Sequence, residues 1–174
     1  MSDYENILSK GWDNIPQPKQ LPEGSYLLVS RGASIQAPTK EGGNPNILFV
    51  HSVKEAMDDV DDGDLKKLGD GYDFSLNRIF TRVWLETAAD YSGARAMLKK
   101  HGVDTSGDDY KEAFKDLRGK EIVAFLTPHS FVNNAGDEVQ DNRASNFVPA
   151  NAYAYSQVAA QRALHTERLK ITAK

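Results

Sequence analysis

Between Leu76 and Glu86 the chain reads Leu-Asn-Arg-Ile-Phe-Thr-Arg-Val-Trp-Leu-Glu, with alternate positions of quite different chemistry. Successive side chains on a strand point to opposite sides of the sheet, so a strand sorts these residues into two faces. One face carries Asn77, Ile79, Thr81, Val83 and Leu85, ordinary core material. The other carries Arg78, Phe80, Arg82 and Trp84, a cation alternating with an aromatic. The fold must therefore contain a sheet that buries one side of this strand and does something else with the other. A covering loop or helix would bury the aromatics while the arginine heads reach water. Left open, the same face suits single-stranded nucleic acid, whose phosphates take guanidinium groups and whose unpaired bases stack on π-surfaces.

The rest of the chain supplies the other strands. Residues 1–22 read as an N-terminal arm, with one helical turn near Tyr4 to Leu8 and regular structure ended by Pro16, Pro18 and Pro22. Gly24 to Gln36 is a long strand with Leu27, Val29 and Ile35 on one side and Tyr26 and Leu28 on the other. Gly32 inside it marks a bulge or bend. Ala37 to Asn46 is a loop rich in Gly, Pro and Asn, and Ile47 to Val53 a second strand. Glu55 to Asp70 is expected to be a solvated excursion, and the third strand falls within Tyr72 to Glu86. Two short helices follow, Gly93 to Lys100 capped by Ser92 and Asp109 to Leu117 capped by Asp108, stopped by Gly102 and Gly119. Lys120 to Thr127 is a fourth strand, Pro128 to Gln140 a turn-rich link, and Asn142 to Val148 a fifth strand. After Pro149, Asn151 is placed to cap an alanine-rich helix reaching about Lys170.

Strand, strand, strand, helical insert, strand, strand is the order of the OB fold, a partly open five-stranded barrel. Such barrels bind oligonucleotides on the face of strands two and three, between the first-second and fourth-fifth loops. The expected class is thus mainly β with helices, comprising an arm (1–22), an OB-fold-like domain (23–149) and a C-terminal helix or tail (150–174).

A net charge of -4 argues at first against a polyanion partner, but without Asp58, Asp59, Asp61, Asp62 and Asp64 the remainder of the chain is close to neutral. That cluster fits a calcium loop poorly: with Gly63 at the sixth position, Val60 falls where a ligand belongs and Gly69 where a bidentate Glu is needed. A solvated hairpin tip is the simpler reading. Cysteine is absent, which removes disulfides, thiolate metal sites and cysteine nucleophiles and suits a reducing cytoplasm. No leader and no membrane-crossing apolar run is visible, so a soluble, cytoplasmic protein without a membrane partner is expected. The histidines at 51, 101, 129 and 165 lack metal-ligand spacing, and no phosphate loop, dinucleotide fingerprint or nucleophile elbow is present. No cofactor, metal or catalytic residue is assigned. A nuclease built on Asp116, Asp137 and Glu138 would need those carboxylates brought together, and nothing in their spacing does so.

The candidate binding residues are Arg78, Phe80, Arg82 and Trp84, joined by Phe49 and His51 on one side of the second strand, with Leu48 and Val50 turned to the core. Arg31, Arg143 and Phe147 are edge additions, and Lys40 is a phosphate contact from the Gly-rich loop. For Phe49 and Phe147 simple core packing competes evenly with contact. Arg162, Arg168, Lys170 and Lys174 make the tail basic, either an ordinary surface helix or a source of non-specific phosphate contacts.

The runs Leu21-Pro22-Glu23-Gly24-Ser25-Tyr26, Trp84-Leu85-Glu86, Asp116-Leu117-Arg118-Gly119-Lys120 and Asn146-Phe147-Val148-Pro149 give the chain a diffuse resemblance to bacteriophage OB-fold single-stranded DNA-binding proteins. The resemblance spans about Leu21 to Pro149. It implies sequence-tolerant binding of single-stranded DNA, without catalysis, in phage replication or recombination, with proteins of those processes as partners. Many replication-type binders end in an acidic, aromatic-tipped recruiting tail, whereas this chain ends basic. A phage assembly module that binds protein through the aromatic face is the alternative, and the C-terminal helix is compatible with a homo-oligomer.

Overall fold

The computed structural model describes residues 16–107 and 109–151. The expected helical turn near Tyr4, the Asp108 cap, the long helix after Asn151 and the basic tail lie outside the described residues. Five strands, β1 (Gly24–Gln36), β2 (Asn46–Ala56), β3 (Arg78–Trp84), β4 (Glu121–Val132) and β5 (Glu138–Pro149), form one antiparallel sheet in the order β3-β2-β1-β4-β5. Short α1 (Asp62–Lys66) and a 3-10 turn (Phe74–Leu76) lie between β2 and β3. Helices α2 (Ala88–Lys100) and α3 (Tyr110–Leu117) lie between β3 and β4. Five antiparallel strands with few helices are consistent with an OB-like fold. The ladders leave β3 and β5 as edges, so the sheet is not closed.

Bulges decide which side chains enter the core. Ser30 pairs with His51 and Gly32 with Val50, so Arg31 is an extra residue and the alternation of β1 reverses there. Gly32 has φ +125, a conformation open to glycine and costly for other residues. Tyr26 and Leu28 share a side, as expected, and that side is the core; beyond the bulge Ala33 and Ile35 fall on the same inner face, opposite Phe49 and Ile47, so Ile35 does not share a side with Leu27. Another bulge sits in β5, where Val123 pairs with Val148 but Phe125 with Ser145. Asn146 there has φ +51, a left-handed conformation Asn tolerates better than most residues. Ala144 and Phe147, three residues apart, consequently both reach the core.

Several element boundaries are corrected. Helix α2 begins at Ala88 rather than Gly93: Thr87, not Ser92, caps it, its Oγ1 accepting from Asp90 N while Asp90 Oδ2 accepts from Thr87 N at 2.7 Å, a capping box. Asp109 caps α3, its side chain accepting from Lys111 N at 2.8 Å. The expected link from Pro128 to Gln140 is instead the outer half of a β4–β5 hairpin turning at Asn133–Asp137. Pro128 is tolerated in a strand because the β1–β4 ladder ends at Gly24↔Leu126, leaving that edge of β4 without a ladder partner.

The acidic excursion is likewise packed rather than free. Met57, Val60 and Leu68 are buried, and Val60 covers Gly24 so closely that a Cβ there would stand 2.6 Å from Val60 Cγ2. Asp59 accepts from Ser25 N, Asp61 caps α1, and Asp64 pairs with Lys67 at 2.6 Å. Ahead of β1 the arm bridges the two sheet edges. Asn77, just before β3, donates to Lys19 O, and Asn142 of β5 clamps Leu21 through both its backbone N–H and its carbonyl. Gln20 Nε2 donates across the hairpin to His129 O and Asp141 O, both at 3.0 Å.

Candidate nucleic-acid interface

The alternation of β3 appears in the structure as two faces. Ile79 and Asn77 are buried and Thr81 and Val83 half-buried, while Arg78, Phe80, Arg82 and Trp84 are all exposed. Phe80 is 60% and Trp84 48% accessible, large values for aromatics in a sheet. They lie four residues apart, about 13 Å along a strand, far enough for each to take its own base.

Two neighbours set the arginines. Arg82 Nη1 donates to Asn46 Oδ1 at 3.2 Å, drawing that guanidinium toward the Trp84 end, since Asn46 pairs with Trp84 across the ladder. Arg78 Nη1 donates to Ser75 O at 2.9 Å, in the opposite direction along the strand. Both guanidiniums therefore turn away from Phe80, which leaves an aromatic surface flanked by cations. Beside it on β2, Val50 pairs with Phe80 and Leu48 with Arg82, so these half-buried aliphatics share the outer face.

That pairing overturns the expected orientation of β2. Phe49 and His51 do not join the outer face: both have no accessible surface and point into the core with Ile47 and Val53, while Leu48 and Val50 face outward. The segment Ile47 to Val53 is apolar at both parities, so its period cannot choose a side; the ladder with β3 does. Phe147 is corrected too, because the Asn146 bulge turns it inward, its ring centroid 6.0 Å from that of His51.

His51 belongs to a buried histidine pair. His101, the C-cap of α2, faces it with Nε2 atoms 2.8 Å apart and rings stacked at 5.1 Å. His101 Nδ1 lies 2.7 Å from Met97 O, and a carbonyl can only accept, so His101 Nδ1 carries the proton. His101 Nε2 is then the acceptor and His51 Nε2–H the donor, which leaves His51 Nδ1 bare. That atom and Thr81 Oγ1 are buried without a hydrogen-bond partner among the described residues. Burial, reinforced by the facing imidazole, pushes His51 down to about 3, and burial lowers His101 as well. Both rings are neutral at ordinary pH and serve packing.

The remaining candidates are dispersed. Arg31 is exposed at the β1 bulge. Lys40 is exposed in the loop joining β1 to β2, which meets the Trp84 end of β3 through Leu85 N donating to Pro45 O at 3.0 Å. Arg143 is exposed on β5, opposite Thr127, on the other edge of the sheet from β3. Missed by sequence reasoning were Asn46, Leu48, Val50 and Ser75. Only the strand parity of Leu48 and Val50 carried any signal, and it was ambiguous. Among the described residues no group of three or more His, Asp or Glu side chains is placed to hold a metal. No helix among them is long and apolar enough to cross a membrane.

No family model and no curated protein matches this chain. Among solved structures it is similar to yeast RPA bound to ssDNA, at 9% identity and a TM-score of 0.35, covering 93% of this chain and 94% of that one.

Proposed function

We propose that this protein binds single-stranded DNA without sequence preference and without catalysing a reaction, on a single OB barrel. The observation that carries this reading is the exposed row Arg78-Phe80-Arg82-Trp84, open to solvent on the outer side of β3 and backed by a buried inner side. Bases stack on Phe80 and Trp84 while Arg78 and Arg82 neutralise phosphates, and Lys40 extends the charge at the Trp84 end. The barrel reading draws on the strand order and on β3 and β5, which run the same way and approach each other with the arm between them. A role in phage DNA replication or recombination, alongside proteins of those processes, follows from the sequence resemblance alone.

A second reading has its own observation. The β4–β5 hairpin presents Phe131 and Val132 to solvent beside Asp137 and Glu138, a combination suited to protein rather than to a polyanion. It describes an assembly module that binds a protein partner.

Titration with fluorescently labelled poly-dT at low and high salt, with tryptophan emission followed in parallel, separates the two. Saturable binding that weakens with salt, with a log–log slope of about -0.7 per phosphate neutralised, supports the DNA reading. Absence of binding at low salt rejects it in favour of the assembly module.

A further inference from the structure

We infer that Asn46 is a positioning residue for the nucleic-acid face, orienting Arg82 through a neutral hydrogen bond; this rests on the single-stranded DNA reading above. Asn46 opens β2, is almost wholly buried, and stands on the outer side of the sheet between its cross-strand partners Gln36 and Trp84. Its Oδ1 accepts from Arg82 Nη1. An amide oxygen orients a guanidinium without neutralising it, so the cation keeps its full charge for a phosphate. Among the described residues the bond to Asn46 occupies one of the five guanidinium N–H groups. A carboxylate at the same place would hold the arginine equally well and cancel it.

The direction of the bond has a consequence for the ligand. Arg82 is drawn to the Trp84 end of the strand, so its phosphate is the one adjoining the base stacked on Trp84. Arg78, turned to Ser75, serves the far side of Phe80. Because Arg82 is ordered before ligand arrives, binding does not have to immobilise a long, rotamer-rich side chain, a saving equivalent to about two- to tenfold in affinity.

The test is a double-mutant cycle on the full chain with a fluorescent dT oligonucleotide, comparing wild type, Asn46→Ala, Arg82→Ala and the double variant, each checked for folding by thermal melting. Asn46→Ala is expected to weaken binding about two- to tenfold when Arg82 is present and to change nothing when it is absent. Equal losses in both backgrounds, or none in either, overturn the role of Asn46 and leave the DNA reading standing. Failure of wild type to bind overturns both. Should Asn46→Ala unfold, Asn46→Asp retains the shape and hydrogen bond while adding charge. Its salt slope is expected to fall by about 0.7, one phosphate contact, relative to wild type. An unchanged slope overturns the inference.

Discussion

Two sets of rings lie on opposite sides of the same sheet. Phe80 and Trp84 stand in solvent on the outer side of β3, while Phe49, His51 and Phe147 fill the inner side of β2 and β5. The residue types are similar and all were candidates for contact with bases. Strand parity and ladder register separate them: Phe80 is opposite Val50, and the neighbouring His51 is opposite Ile79. An aromatic in a strand is thus a stacking platform or a core residue according to a shift of one position, and composition cannot tell the two apart.

The comparison breaks most visibly in stability. Phe49→Ala should cost about 3–5 kcal/mol in denaturant unfolding, because it empties a fully enclosed site. Phe80→Ala should change stability by well under 1 kcal/mol, as a surface substitution. Equal costs would mean that Phe80 is covered in solution.

Acid should act on the inner set next. His51 titrates near 6.5 when unfolded and about 3 when folded, and His101 is also lowered in the fold. The unfolded chain therefore takes up protons first, so the stability these groups contribute is complete above about pH 6.5 and is lost as pH falls toward 3. The expected slope is about 1.4 kcal/mol per pH unit for each proton. Unfolding curves from pH 7 to 4 should show it, and the double variant His51→Phe with His101→Leu should flatten it. A wild-type profile indifferent to pH over that range would place the pair in water.

The outer set should respond in binding instead. Trp84→Ala is expected to remain folded and to bind poly-dT about tenfold more weakly, in line with about 1–3 kcal/mol per stacked base. Normal binding by the folded variant would remove Trp84 from the site. The smallest effect belongs to Arg78→Ala, which should lower affinity modestly and reduce the salt slope by about 0.7. A full slope would show that Arg78 stays committed to Ser75 O.

Much of the fold could be read before any coordinates. Tyr26 and Leu28 are apolar at strand spacing between Gly24 and a bend at Gly32, and β1 runs between the expected limits. Gly102 and Gly119, both with positive φ, end the helical segments as expected. What misled was of two kinds. Thr87-x-x-Asp90 is a capping box with Asp where Glu or Gln is usual, so Ser92 drew the helix start inward. The β4–β5 hairpin hid behind Pro128 and the polar run Ser130 to Gln140, because pairing between two strands, rather than apolar periodicity, sustains it.

The site divides along the same line. Sequence alone determined the two faces of β3, because alternation is a local property of the extended backbone and needs no partner to be expressed. It also determined the order of the five strands, though not the short α1 between β2 and β3. Only the tertiary structure decided which side of β2 accompanies Phe80 and Trp84, since Ile47 to Val53 is apolar at both parities and a ladder must choose. It alone turned Phe147 inward, through an extra residue at Asn146. And it set Asn46 beside Arg82, thirty-six positions apart in the chain, where a neutral oxygen can aim a charge without cancelling it.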